Sequence, residues 1–143
     1  MGKKRVAKQD GGADEGKGDV VAVRSLKRTI TSAVLFVESS YNNTRVTLSD
    51  QKGNVLMWSS SGSLGFKGAK KGTPFAASKV GELMAEKAAG FGIKEVRVAL
   101  RGVGAGREAA LRSFIAKGIG LISISDVTPI PHNGPRPPRP RRV

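Results

Sequence analysis

The sequence predicts one α/β domain of order βββαβαβ, a mixed sheet with helices packed on it, extended at both ends by basic tails. Three observations predict it. Short apolar or alternating runs separated by turn residues recur between residues 33 and 59, the pattern of an antiparallel meander. Two segments of helical period then alternate with two more strand-like runs, which reads as strand–helix–strand units with right-handed crossovers. Outside this pattern lie a polar arm over residues 1–28 and a proline- and arginine-rich tail over residues 129–143, leaving residues 29–128 for the globular domain.

Each element follows from its own residues. Ala33-Val-Leu-Phe-Val37 is a continuous apolar run, as expected of a strand covered on both faces. Arg45-Val-Thr-Leu-Ser49 alternates, with Val46 and Leu48 on one face, and Asn42-Asn43 between the two runs tolerates left-handed turn geometry. Asp50-Gln-Lys-Gly53 closes the second strand, and residues 54–59 form the third. A loop rich in Gly and Lys spans residues 60–73. Thr73 and Pro74 then open a helix, as N-cap and first helical residue, and Ala76, Val80, Leu83, Met84 and Ala88 make its apolar stripe. Gly90 and Gly92 offer stops. Glu95-Val-Arg-Val-Ala-Leu100 is a fourth strand, with Val96, Val98 and Leu100 inward. A tight glycine loop leads to a second helix over residues 107–117, with Leu111, Phe114 and Ile115 buried. Gly118 stops it, and residues 121–125 form the last strand.

Composition bounds the function. Among 143 residues, 25 Lys and Arg face 11 Asp and Glu, a net charge of +14, which favours a polyanionic partner. There is no cysteine, hence no disulfide framework and no thiolate metal site. No apolar run approaches the roughly 18–20 residues of a membrane helix, and no apolar stretch follows the first basic residues as in a secretory signal. The positive density peaks in residues 129–143, which hold four arginines, six prolines and no acid. The prolines keep that backbone extended, and each arginine is a planar fork able to grip a phosphate with two donors.

Three motifs carry candidate chemistry. Residues 61–72 combine Lys67, Lys70 and Lys71 with four glycines and Phe66, running straight into a helix N-terminus. Glycine lets backbone approach a phosphate chain, and helix N-termini attract anions. The plain alternative is a solvated loop; the basic tail and overall charge tip the reading toward RNA. Phe66 suits either stacking on a base or tucking into the core. Gly104-Ala-Gly106-Arg-Glu-Ala109 has the form of a dinucleotide fingerprint, with Asp126 about twenty residues on. Only one strand–helix–strand unit follows it, and Arg101 and Arg107 flank the glycines, so an RNA phosphate or a simple tight turn accounts for it better. The βββαβαβ order is also that of ribonuclease-H-like nucleases, which hold two metals between acids at strand ends. Glu38 and Asp126 stand at such ends, but the fourth strand ends in Arg101, and no third carboxylate completes a site. His132, the only histidine, has no serine or cysteine partner and reads as a turn or RNA-packing residue. No catalytic residue, cofactor or metal is expected, and the basic segments lack the amphipathic helix of a membrane binder.

Asp126-Val-Thr-Pro-Ile-Pro-His-Asn-Gly134, the closing Arg141-Arg142-Val143, Asn42-Asn-Thr44, Gly65-Phe-Lys-Gly68, Lys71-Gly-Thr-Pro-Phe-Ala-Ala77 and Gly104-Ala-Gly-Arg-Glu108 occur in order. Together they resemble small-subunit ribosomal protein eleven, bacterial type, over about residues 30–143. The resemblance implies a ribonuclease-H-like fold without nuclease activity, a ribosome-bound place in the cytoplasm, and a position on the platform of the small subunit. There the chain would bridge several rRNA helices and line the cleft of the Shine-Dalgarno duplex. Ribosomal proteins seven and eighteen would be neighbours, with initiation factor three and mRNA nearby. Carried onto this chain, the rRNA contacts fall on Asn42, Asn43 and Thr44; on Phe66, Lys67, Lys70, Lys71 and Thr73; on Arg101, Gly104, Gly106 and Arg107; and on His132, Asn133, Arg136, Arg139, Arg141 and Arg142. The family usually has prolines where Val103 and Ala105 stand, which implies a looser loop here, and commonly cysteine where Pro135 stands, which implies a stiffer tail without an essential thiol. The acids of residues 10–19 suit RNA contact poorly.

Asn133-Gly134 is a labile pair, because glycine leaves the following amide free to attack the Asn side chain. Peptide mapping of aged protein should find isoaspartate at Asn133; an unmodified Asn133 would remove the idea.

Overall fold

A computed structural model describes residues 30–136 and Pro138. The arm over residues 1–28 and the arginines Arg139, Arg141 and Arg142 lie outside the described residues. The element order is β1 (Ser32–Ser39), β2 (Thr44–Ser49), β3 (Val55–Ser60), a short 3-10 helix (Gly68–Gly72), α1 (Pro74–Gly90), β4 (Glu95–Arg101), α2 (Gly106–Ile115) and β5 (Gly120–Asp126). The strands form one mixed sheet in the order β3-β2-β1-β4-β5. β2 runs antiparallel to β1 and β3, with Leu35 opposite Leu48 and Val37 opposite Val46. β1 and β4 are parallel, with Leu35 level with Val98, and β4 and β5 are parallel. The predicted α/β order and the mixed sheet are therefore present, with element ends displaced by one or two residues. The loop over residues 60–73 differs, because it contains the 3-10 helix.

One side of the sheet holds the core. Ala33, Leu35 and Val37 from β1, Val46 and Leu48 from β2, and Val96, Val98 and Leu100 from β4 pack against Val80, Met84, Ala88, Leu111 and Phe114 from the helices. Phe114 is fully buried and contributes on the order of 1.5–3 kcal/mol. The expectation that β1 is covered on both faces is corrected here: Phe36 is 44% exposed, and Val34 is half-buried. The reason lies in topology. The crossovers β3–α1–β4 and β4–α2–β5 both step the same way across the sheet, and connections of one hand stepping one way set both helices on one face. α1 packs over β2 and β3, and α2 over β1 and β2. β5 lies beyond both, so Leu121, Ile122 and Ile124 are exposed at the edge.

Local signals account for the helix ends. Thr73 caps α1, its Oγ1 accepting from the Ala76 amide at 3.3 Å, and Pro74 follows at the first turn. The exit is a turn in which the Phe91, Gly92 and Ile93 amides donate to the carbonyls of Ala88 and Ala89, with Gly92 at φ 75°. Where α1 crosses α2, Gly81 lies against the Ala110 carbonyl, and a Cβ at Gly81 would collide with that oxygen.

Glycine normally weakens a helix interior by about 1 kcal/mol relative to Ala. At Gly81 the backbone collision outweighs that gain, so Gly81→Ala should lose about 1–3 kcal/mol of stability. Gly90→Ala, with open space around it, should be neutral or gain up to about 1 kcal/mol. Urea unfolding followed by circular dichroism checks the opposite signs.

Candidate nucleic-acid interface

β1, β3, β4 and β5 all run in one direction, since β2 is antiparallel to both its neighbours and β4 and β5 parallel β1. The ends of these four strands, the start of β2, the N-termini of both helices and the root of the tail therefore lie at one end of the sheet. Three sequence-predicted clusters converge there: the turn with Asn42, Asn43 and Thr44, the loop from Phe66 to Thr73, and the Arg101–Arg107 loop. The tail with His132, Asn133 and Arg136 departs from the same end.

The convergence is built from backbone packed on backbone. A Cβ at Gly72 would strike the Tyr41 carbonyl, one at Gly102 the Ser39 carbonyl, and one at Gly104 the Ser40 carbonyl. A Cβ at Gly106 would come within 2.5 Å of Thr44 Oγ1 and 2.7 Å of Ala77 Cβ. Gly102 also has φ 99°, a conformation L side chains rarely adopt. The β1–β2 turn is thus clamped between the 3-10 helix and the β4–α2 loop. The Gly104 amide donates to Ser39 O at 3.0 Å, and the Ser61 amide donates to Thr44 O at 2.9 Å. Ser39 Oγ and Thr44 Oγ1 share a buried hydrogen bond at 3.1 Å.

Several predicted contacts consequently face inward. Thr44, Gly104 and Gly106 are buried, and Thr44 spends its hydroxyl on Ser39, so in this fold these three shape the loops. Arg107 is also engaged: its Nη1 donates to Gly102 O at 3.0 Å and pairs with Asp126 at 3.1 Å. Asn42 and Asn43 do not use left-handed geometry; Ser40 holds that turn, exchanging hydrogen bonds with Asn43 through backbone and hydroxyl. Among the described residues, the non-glycine residue at positive φ is Asn133, at 59°, in the predicted tail turn. Its Oδ1 accepts from Arg136 Nη2 at 2.7 Å.

Lys67, Lys70, Arg101 and Arg136 are exposed, and Lys71 is half-buried. The two helix N-termini add partial positive charge to the same end. Phe66 neither enters the core nor stands free: its ring meets the exposed Phe75 edge-on, with centroids 6.1 Å apart. Thr73 is occupied as a cap, also donating to Lys70 O at 2.7 Å. Glu38 lies 3.9 Å from Arg101, so each strand-end carboxylate singled out in the sequence sits beside an arginine. Sequence reading missed Tyr41, 78% exposed at the centre of this end. With Val103, Arg101, Thr128 and Pro129 it lines a shallow groove at the root of the tail. Its place directly before Asn42 was the available signal.

Asp126 fixes the tail root. Its Oδ1 accepts from the Thr128 amide at 2.9 Å and from the Thr128 hydroxyl at 2.6 Å. The Gly102 amide in turn donates to Thr128 Oγ1 at 3.1 Å. The Thr128 hydrogen bonds, with a smaller contribution from Arg107, hold the Asp126 carboxyl below its ordinary range.

With this geometry in view, the profile of the family described as "Ribosomal protein S11" matches residues 33–142. Small ribosomal subunit protein uS11 of Francisella tularensis subsp. novicida (strain U112) is 49% identical over 120 residues, covering 84% of this chain and 93% of the relative. The protein of the same name from Francisella tularensis subsp. tularensis (strain WY96-3418) matches to the same extent.

Because the Asp126 carboxyl is depressed in the folded state, the stabilisation it gives is present above the ordinary Asp range and is lost as pH falls through the lowered value. Limited proteolysis should find the tail root protected at neutral pH and loosened in acid. Asp126→Ala should be loose at both, whereas Asp126→Asn, which keeps an acceptor for Thr128, should stay protected in acid.

Proposed function

We propose that this chain, which belongs to the ribosomal protein S11 family, is a structural constituent of the small ribosomal subunit that acts in translation by binding small-subunit rRNA through one end of its sheet. The carrying observation is the convergence of three loops, two helix N-termini and the tail root at that end, with Lys67, Lys70, Lys71, Arg101 and Arg136 around it. Loops and an extended tail suit irregular RNA, whose phosphates and unstacked bases are reached from several sides. Asn42, Asn43 and Tyr41 contribute hydrogen-bonding groups and a stacking surface between the cations. Thr44, Gly104, Gly106 and Arg107 hold the loops in register. The tail sequence adds Arg139, Arg141 and Arg142 as further candidates for phosphate contact.

The finer reading follows the family. The strand order 3-2-1-4-5 supports a ribonuclease-H-like fold, and the arginines beside Glu38 and Asp126 support binding over nuclease chemistry. The chain would sit on the platform, bridge several rRNA helices and form part of the Shine-Dalgarno cleft. Ribosomal proteins seven and eighteen would be its neighbours, with initiation factor three and mRNA close by. The ribosome-bound protein would be cytoplasmic.

Tagged full-length chain, sedimented from lysate through a sucrose gradient, should travel with the small subunit and remain there at moderate salt. Affinity for isolated rRNA should fall steeply as salt rises, since phosphate contacts release counterions. A chain lacking residues 129–143 should stay at the top of the gradient. Full-length protein at the top at every salt would overturn the reading; incorporation of the truncated chain would overturn the role of the tail.

A further inference from the structure

The side of the sheet opposite the helices meets the site above at Arg101 and otherwise has its own chemistry. Strand register sets Trp58, Thr47, Phe36 and Ala99 in one row across β3, β2, β1 and β4. Trp58 is 57% exposed and Phe36 44%. One strand, β2, lies between them, so they stand two strand spacings apart, about 10 Å. The next row holds Arg45, Glu38 and Arg101, and the row on the other side holds Val34 and Arg97. Arg45 reaches over the Trp58 ring, its guanidinium carbon 5.8 Å from the centroid. Arg45, Thr47, Val55 and Trp58 line a shallow concavity.

Protein-docking patches also favour aromatics and arginine, but on this face the arginines exceed the acids and the chain carries a net charge of +14, which favours a polyanion. Alternating guanidinium and ring surfaces are what single-stranded nucleic acid uses, with bases stacking on the rings and phosphates meeting the arginines. Arg45, Arg97 and Arg101 outnumber Glu38 and Glu95 on this side, and Glu38 is already beside Arg101. Arg45 and Arg97 remain available for phosphates.

We propose that this open sheet face is a second RNA-binding surface, on which an unpaired base stacks at Trp58 with a flanking phosphate on Arg45, and the strand runs on across Phe36 to a further phosphate on Arg97. This inference rests on the rRNA-binding reading above and adds a surface to it. RNA held at the end of the sheet and RNA held on its open side would grip the domain on two faces, fixing its orientation as well as its position.

Trp58 is the only tryptophan, so its fluorescence reports this face alone. Full-length chain would be titrated with small-subunit rRNA and, separately, with an unstructured oligouridine, while total binding is followed by filter retention. Stacking should quench Trp58 and shield it from iodide on both RNAs. Trp58→Ala and the Arg45→Ala, Arg97→Ala double variant should each weaken oligouridine binding about tenfold. Trp58 is largely exposed, so circular dichroism of these variants should match the parent. Lys67→Ala with Lys70→Ala should weaken rRNA binding without changing the Trp58 quench at saturation. Retention of rRNA with Trp58 fluorescence and iodide access unchanged would overturn the second surface and leave the first standing. Absence of retention altogether would overturn both. Quenching by another ribosomal protein but by neither RNA would assign the face to a protein partner and overturn this inference.

Discussion

The carbonyls of Ser39, Ser40 and Tyr41 each lie against a glycine from another part of the chain: Gly102, Gly104 and Gly72. That close approach of backbone to backbone is the constraint on which the working end depends. A methyl group at any of these glycines would push one loop away from the β1–β2 turn. The loops carry few side chains that could hold them together by burial, so their mutual position comes from these contacts and from the buried Ser39–Thr44 hydrogen bond. Rigidity obtained this way leaves the charged side chains of the same loops pointing outward. A binding surface for a polyanion has to meet both demands, because lysines and arginines cannot also form the core that orders them.

Charge is divided along the same line. Arg107 is drawn inward by Asp126 and the Gly102 carbonyl, and Arg101 stands beside Glu38. These pairs tie β4, the β4–α2 loop, β5 and the tail root into one unit. Lys67 and Lys70 are left exposed toward solvent. Exposed pairs contribute little to stability in themselves; Arg107 matters through the hydrogen bonds that orient the loop. In this chain the loop is held by Gly104 against Ser39 and Ser40 and by Thr128 against Gly102.

Much of this was legible in residues. Thr73 and Pro74 announce the start of α1 because cap and first-turn chemistry is local, and Gly118 announces the end of α2 for the same reason. Other features were not legible because they are properties of the assembled sheet. The run from Ala33 to Val37 looks the same whether one face is covered or two; the direction of the crossovers decides, and no residue in the run encodes it. Thr44 and Arg107 look like surface groups in a basic, polar sequence, yet strand register turns one into the core of the loop cluster and Asp126 draws the other in. Tyr41 and Trp58 are single aromatics without a pattern around them. Their exposure follows from a turn and from the bare side of the sheet.

We propose that one end of the sheet is the rRNA-binding end. Hydroxyl-radical footprinting of the protein, free and bound to small-subunit rRNA, tests it most directly. The account predicts protection of Tyr41, Phe66, Phe75 and His132, with no change in the turns at the opposite end, over residues 50–54, 90–94 and 116–119. Protection concentrated in those opposite turns, with Tyr41 and Phe66 as reactive as in the free chain, would contradict it.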